Sequence, residues 1–298
     1  MRKGAIDIGS NSLRFIVADV ENGRIKDILH EERYIVRLAE GLKKTNSLSK
    51  TAIDKTINAL KVIKGYILNN GNFPAKFVAT SAVREAENSS YFIDEAKKIG
   101  VDIEIISPQQ EAFYMFKGVS SAIDLNNKKA LIFDIGGGST EFIVAQNDEI
   151  SFVESYDLGV VKFCDMFDFK DKTDSETIYS IKNIVVEKIK DIPNSHFDLL
   201  VATAGTATTI AAIDMKLLDY DYKKVNNYKI SLESAKRIIS DLCSMTVDER
   251  KNVIGLEPGR ADLIVPGSII LETVMEYFHF QEIVISDFGL REGLVVSV

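Results

Sequence analysis

Residues 5–18 read Ala-Ile-Asp-Ile-Gly-Ser-Asn-Ser-Leu-Arg-Phe-Ile-Val-Ala, and residues 132–145 read Ile-Phe-Asp-Ile-Gly-Gly-Gly-Ser-Thr-Glu-Phe-Ile-Val-Ala. At one constant offset the two stretches agree at eight of fourteen positions, including the Asp, the first Gly, the Ser and the whole Phe-Ile-Val-Ala run. Each spells an apolar strand ending in Asp, a turn of small residues and a second apolar strand. A hairpin turn alone calls for Gly or Asn. It does not call for the Asp, the Ser and the following apolar run to be repeated as well. Turns such as Gly9–Ser12 and Gly136–Ser139 can gather successive backbone N–H groups into a concave cradle for phosphate oxygens. Asp7 and Asp134, at the strand ends, are hard oxygen ligands suited to a phosphate-bound Mg²⁺. A duplicated cradle implies two similar domains holding one phosphorylated ligand.

The length of 298 residues fits two domains, each able to bury a core, and 46% hydrophobic with 27% charged residues is a globular composition. No apolar run reaches the length of a membrane span, and Met1-Arg2-Lys3-Gly4 leads into a strand rather than a signal-peptide core, so a cytoplasmic protein is expected. Cys164 and Cys243 stand alone and the three histidines, His30, His196 and His279, form no metal motif. A formal net charge of −8 argues against general nucleic-acid binding. A polyanion can then be held only where cations and N–H groups are concentrated locally.

Beyond the first hairpin a third strand is expected around Arg33–Ala39. A helix follows the cap at Ser47–Ser49, with apolar residues at Ile53, Ile57, Leu60, Ile63 and Ile67. Strands at Lys76–Thr80 and Val101–Ile106 flank a helical stretch ending at Lys97–Gly100. In the second half, helices are expected at Ser175–Asp191, Thr206–Leu218, Leu232–Met245 and Asp262–Phe278, with strands at Leu199–Ala202 and Glu282–Ser286. Strands alternating with helices imply mixed sheets covered by helices, an α/β class. The polar break at Ile123–Asn127 sets the expected domains at 1–124 and 125–298, with the last helix free to pack back on the first.

Several constellations could carry chemistry. Thr80 and Ser81 stand where a strand turns into a helix and can cap it, and Arg84 would add a two-pronged phosphate contact. On this segment alone, an ordinary cap with an exposed arginine is the better account. Ser107-Pro108-Gln109-Gln110-Glu111 is a helix start with a capping box, which puts Glu111 in the first turn, ionised and able to accept a proton or orient water. Glu141 takes the place of Arg14 in the repeat, which suggests divided labour: Arg14 on phosphate, Glu141 on water or metal. Gly205 and Thr206 open an Ala-rich helix, where Gly205 allows close backbone approach and Thr206 can cap it and face a phosphate. Arg260 is a ligand candidate, while Asp287 and Arg291 read better as turn-holding residues.

Asp-Ile-Gly-Ser-Asn-Ser-x-Arg, Thr-Ser-Ala-x-Arg, Asp-Ile-Gly-Gly-Gly-Ser-Thr-Glu, Gly-Thr-x-Thr-Thr, Gly-Arg-Ala-Asp and Ser-Asp-x-Gly-Leu-Arg-Glu-Gly occur in this order. Together they resemble the exopolyphosphatase and guanosine pentaphosphate phosphohydrolase (Ppx/GppA) family over essentially the whole chain, in its short two-domain form. The resemblance implies two ribonuclease-H-like domains of the actin, sugar kinase and heat-shock chaperone superfamily, with an interdomain cleft. It implies Glu111 as the catalytic base, with Glu141 close to the attacking water. Asp134 becomes a magnesium carboxylate and Asp7 lines the opposing cradle. Ser10, Asn11, Ser81, Arg84, Gly136, Gly137, Gly138 and Ser139 would bind phosphates, and Gly205 and Thr206 belong to the same ligand-facing set. Arg14 and Arg260 match positions associated with anion or guanosine-polyphosphate contacts. The family commonly shows adjacent acids where this chain has Gln110-Glu111, which leaves Glu111 as the candidate there.

The activity implied is Mg²⁺-dependent hydrolysis of terminal phosphoanhydride bonds in polyphosphate, guanosine pentaphosphate or both, tied to the stringent response. A monovalent cation is a second candidate ion and a homodimer a candidate assembly. Neither nucleic acid nor membrane is an expected partner. Two other classes compete: a small-molecule kinase on the same scaffold, and an alarmone or nucleotide sensor without turnover. Such hydrolysis needs positioning, charge neutralisation and an oriented water more than covalent help, which favours the residue set above.

Overall fold

The computed structural model describes residues 1–147, 149–193 and 196–298. The chain divides into two compact units, Met1–Ser121 with Phe288–Val298, and Ala122–Asp287. The last helix therefore belongs with the first unit instead of closing the second half.

The first unit runs β1 (Arg2–Ile8), β2 (Ser12–Glu21), β3 (Arg24–Ile35), α1 (Leu42–Thr45), α2 (Lys50–Asn69), β4 (Ala75–Ala79), α3 (Ser81–Glu85), α4 (Ser89–Lys98), β5 (Ile103–Ile105) and α5 (Pro108–Ala122). Its sheet has the order β3-β2-β1-β4-β5, antiparallel through the first three strands and parallel from β1 to β4 to β5. The 3.6-residue spacing of α2 does what it implies: Ile53, Ile57, Leu60, Ile63 and Ile67 are all buried. Ser49 accepts from the Ala52 N–H at 3.2 Å and caps that helix.

The second unit runs β6 (Lys129–Ile135), β7 (Thr140–Gln146), β8 (Glu149–Tyr156), α6 (Val160–Met166), α7 (Ser175–Ile189), β9 (Leu199–Thr203), α8 (Ala204–Asp214), α9 (Tyr222–Val225), β10 (Tyr228–Ser231), α10 (Leu232–Cys243), α11 (Val247–Arg250), a 3₁₀ turn at Pro258–Arg260, α12 (Ile264–Tyr277) and β11 (Glu282–Ile285). The sheet order is β10-β11-β9-β6-β7-β8. Read from its third strand inward, this is the first sheet again, with β9 and β11 parallel to β6 and β10 added at the edge. Both units thus have the ribonuclease-H-like arrangement. Even an irregularity repeats: the third strand slips register after Val17 in one copy and after Val144, at the equivalent position, in the other.

α12 is buried from Ile264 to Met275, as expected of a helix apolar on all sides. α8 begins two residues before, and ends four residues before, the helix read from sequence. Lys216 in the left-handed region (φ 52°) turns the chain out, and the Leu217 N–H closes on the Ala212 carbonyl. The buried Arg250 guanidinium donates to the carbonyls of Leu242, Phe169 and Asp171 at 2.8, 2.7 and 3.2 Å, stapling the loop before α7 to α10.

The final helix, α13 (Leu290–Val296), packs on the first sheet, where Leu290, Leu294 and Val295 share a core with Ala5, Ile16 and Ala18. Among the described residues no helix is long and apolar enough to cross a membrane.

Candidate active site

The first cradle is a turn closed by the Gly9 N–H on the Ser12 carbonyl at 3.1 Å. Its carbonyls are held from behind: Asn11 O accepts from Val36 and Arg37 N–H, and Ser10 O from Ala39 N–H. The second cradle is built alike, with the Gly136 N–H on the Ser139 carbonyl at 2.9 Å and the Gly136 and Gly137 carbonyls accepting from Val160 and Val161. In each copy the segment after the third strand occupies the turn's carbonyls. Peptide groups so anchored present their N–H side to a ligand.

Gly159, passed over in the sequence, backs the second cradle. A Cβ there would fall 2.2 Å from the Gly137 carbonyl oxygen, so only glycine lets this loop lie against the turn. Its position just after a strand and before a helix is a weak signal, which a single sequence does not distinguish from an ordinary connection.

The strand-end carboxylates differ in their partners. Asp7 is opposite Arg14 in the β1–β2 register, and Arg14 donates to its Oδ2 through Nε at 3.1 Å and Nη2 at 2.8 Å. Asp7 is 2% exposed, and its Oδ1 is buried with no hydrogen-bond partner among the described residues. The charge of Asp7 raises the Arg14 pKa, outweighing burial. Arg14 is therefore first a partner of Asp7, with its half-exposed guanidinium still facing solvent. In the second copy Asp134 is opposite Glu141, so two carboxylates share one site. Glu141 Oε1 accepts from Ser139 Oγ at 2.5 Å and Ser155 Oγ at 2.7 Å.

These groups fit Mg²⁺ on two observations. A buried, unpartnered carboxylate oxygen on Asp7 has ligand capacity to spare, and Asp134 and Glu141, opposed across a strand pair, put two hard oxygen donors on one face of the sheet. No cage of three or more His, Cys, Asp or Glu occurs among the described residues. Mg²⁺ held by one or two carboxylates, waters and substrate phosphates needs none.

Glu111 stands where the sequence placed it. Ser107 and Gln110 exchange the capping-box bonds at 2.9 and 3.2 Å, and Pro108 opens α5. Arg84 lies beside it, donating to the Ile106 carbonyl at 2.7 Å and approaching Glu111 Oε2 at 3.5 Å. The arginine expected on phosphate is thus anchored next to the candidate base. Ser81 Oγ meets Ser10 Oγ at 3.0 Å, joining α3 to the first cradle. Thr80 makes no side-chain cap, and α3 is only five residues long.

At the carboxyl end of β9, Ala204 takes a left-handed φ of 68°, and Gly205 lies under Arg260, whose Nη1 occupies the space a Cβ would need. Thr206 does not cap α8, because Thr203 is the N-cap residue. Thr206 is buried instead, against Gly267 of α12. Arg260 pairs with Glu257 at 2.9 Å and lines a cavity of about 470 Å³ with Thr208, Leu217, Tyr220, Leu256 and Asp287. The Tyr220 hydroxyl donates to Asp287, and burial followed by that carboxylate raises the Tyr220 pKa. Since β6, β9 and β11 are parallel neighbours, Asp134, Gly205 and Asp287 mark the carboxyl edge of one sheet, where α/β folds bind ligands. Burial raises both thiols, Cys164 and Cys243, to about 11, which leaves them poor nucleophiles.

A family model described as Ppx/GppA phosphatase matches residues 16–298. The chain belongs to the Ppx/GppA phosphatase family. The crystal structure of the Aquifex aeolicus Ppx/GppA family member superposes with a TM-score of 0.92 at 30% identity, covering 100% of this chain and 97% of that one. A bifunctional 3-dehydroquinate synthase/phosphatase of Fusobacterium nucleatum is 34% identical over 99% of this chain, which spans 46% of that protein's length. A Haemophilus influenzae protein provisionally named an exopolyphosphatase is 33% identical, over 99% of this chain and 90% of its own.

Proposed function

We propose that this Ppx/GppA protein hydrolyses the terminal phosphoanhydride bond of inorganic polyphosphate, of guanosine pentaphosphate or of both, in a Mg²⁺-dependent reaction. The observation that carries the reading is the asymmetric repeat: one cradle with an Asp–Arg pair, the other with an Asp–Glu pair. The first is suited to hold phosphate charge and the second to attract a cation. The name given to the Haemophilus influenzae relative supports polyphosphate as the substrate class.

In this reading the N–H groups of Gly136–Ser139 and of the Ser10–Asn11 turn hold non-bridging phosphate oxygens, and Arg14, where exposed, adds charge. Glu111 accepts the proton of a water aimed at the terminal phosphorus, while Arg84 fixes the carboxylate's position from the side. Glu141, held by two serine hydroxyls, orients a water or a metal-bound one at the second cradle. Asp134 with Glu141 in the second unit, or Asp7 in the first, would each offer carboxylate oxygen to Mg²⁺, which when bound neutralises charge on the phosphates. The cavity beside Arg260, part apolar and carrying Tyr220 and Asp287, suits the guanosine of the pentaphosphate.

The test is orthophosphate release from long-chain polyphosphate and from guanosine pentaphosphate, side by side, with and without Mg²⁺. Chains shortening from their ends support the reading. Mid-length fragments appearing first, or faster ATP-dependent phosphorylation of a metabolite, would overturn it.

A further inference from the structure

We propose that Arg33 and Arg37 form a cationic track beside the first cradle that binds phosphates of a polyanionic ligand beyond those at the reacting end. This rests on the polyphosphate reading above. Neither residue belongs to a motif the sequence singled out.

The register carries the first part. Asp7, Arg14 and Arg33 are opposite one another across β1, β2 and β3, at the end of the sheet where the first cradle turns. Directly opposed residues project to one face, so Arg14 and Arg33 place two like charges side by side, an arrangement that costs stability unless an anion lies between them. Asp7 answers Arg14, but among the described residues Arg33 has no ion-pair partner. The acids beside Arg33 in β3 are already engaged: Glu31 takes Arg291 at 2.5 Å, and Glu32 takes the Tyr34 hydroxyl and lies 3.0 Å from His30.

Backbone strain carries the second part. Ten non-glycine residues of the described chain have positive φ and six of them are Asn, the residue whose side chain best tolerates that region. Arg37 sits there at φ 50°, exposed and without an ion-pair partner among the described residues, while its N–H bonds the Asn11 carbonyl of the cradle at 2.9 Å. A long cation kept where Gly or Asn would be less strained points to work done by its charge. In a chain of net charge −8, two unneutralised arginines flanking a phosphate cradle set the local field.

A ligand whose phosphates end at the cradle gains nothing from this track, whereas a chain of many phosphates does. Binding of long-chain polyphosphate and of tripolyphosphate is measured across salt concentrations for wild type, Arg33→Gln, Arg37→Asn and Lys26→Gln. Lys26, toward the other end of β3, removes the same charge away from the cradle. Each arginine variant should weaken long-chain binding about 2–5-fold, as expected for exposed charge pairs. The slope of log affinity on log salt should fall by on the order of one per arginine. The loss should grow with chain length and appear in KM more than in kcat, and Arg37→Asn should melt no lower than wild type. Equal losses for Lys26→Gln, or losses independent of chain length, would overturn the track. Unaltered long-chain affinity in both arginine variants would overturn it and leave the hydrolase reading standing. A wild-type protein that binds no polyphosphate would overturn both.

Discussion

Arg14 and Glu141 hold the same place in two copies of one hairpin, each directly opposite its strand-end aspartate. The fold is duplicated there and the electrostatics are reversed. Replacing Arg14 by Ala leaves the Asp7 carboxylate buried with neither oxygen hydrogen-bonded to a side chain. Urea unfolding should then show a loss of about 1–3 kcal/mol. Glu141→Gln should cost little, since it relieves repulsion with Asp134 while its amide oxygen still accepts from Ser139 and Ser155. Adding Mg²⁺ to the wild type should raise its Tm, and that rise should shrink in Glu141→Gln and persist in a surface variant such as Lys26→Gln.

Glu111→Gln keeps the size of the side chain and removes its capacity to take a proton. Turnover should fall by roughly 10²–10⁴ with ligand binding retained. The helix start should survive, because Ser107 and Gln110 keep their reciprocal bonds. Near-wild-type turnover by a folded Glu111→Gln protein would transfer the role to Glu141. Arg84→Ala should lower the rate and also cost stability, since the Ile106 carbonyl loses its donor.

Two glycines test how local the constraints are. A Cβ on Gly293 would fall 1.6 Å from the Tyr114 carbonyl oxygen, where α13 crosses α5 backbone to backbone. Gly293→Ala should therefore destabilise by about 1–3 kcal/mol or more. A Cβ on Gly205 would meet the Arg260 guanidinium, the mobile end of a long side chain. Gly205→Ala should melt near the wild-type temperature and shift ligand affinity by displacing Arg260.

Acid should weaken the second unit through Glu276. Burial opposes its ionisation, yet hydrogen bonds and charge from Lys236 and Lys182 hold its pKa below the ordinary carboxylate value. A depressed carboxylate contributes stability above its unfolded pKa of about 4.3 and loses it as pH falls through the lower folded value. Urea midpoints measured down to pH 3 should fall less steeply in Lys236→Met than in wild type.

What could be read from the chain was what short-range geometry decides. The hairpins, their turns and the Ser107–Gln110 capping box each close within a few residues, so sequence spacing alone specifies their hydrogen bonds. The opposition of Asp7 to Arg14 and of Asp134 to Glu141 follows from those same turns. Other features required elements far apart in sequence to meet. Arg84 reaches Ile106 and Glu111 only because β4 and β5 pair and place α3 beside the start of α5. Arg33 comes level with Arg14 through a third strand that carries two register slips, and each slip shifts which residues face one another. Thr206, which looked like a cap, is buried by α12, and the last helix joins the first unit because its apolar face matches Ala5, Ile16 and Ala18. Backbone hydrogen bonds in a tight turn depend on neighbours a few residues away, whereas side-chain partners depend on which surfaces the core brings together. The sequence by itself therefore determined the repeat and its cradles, and tertiary packing decided which charges stand beside them.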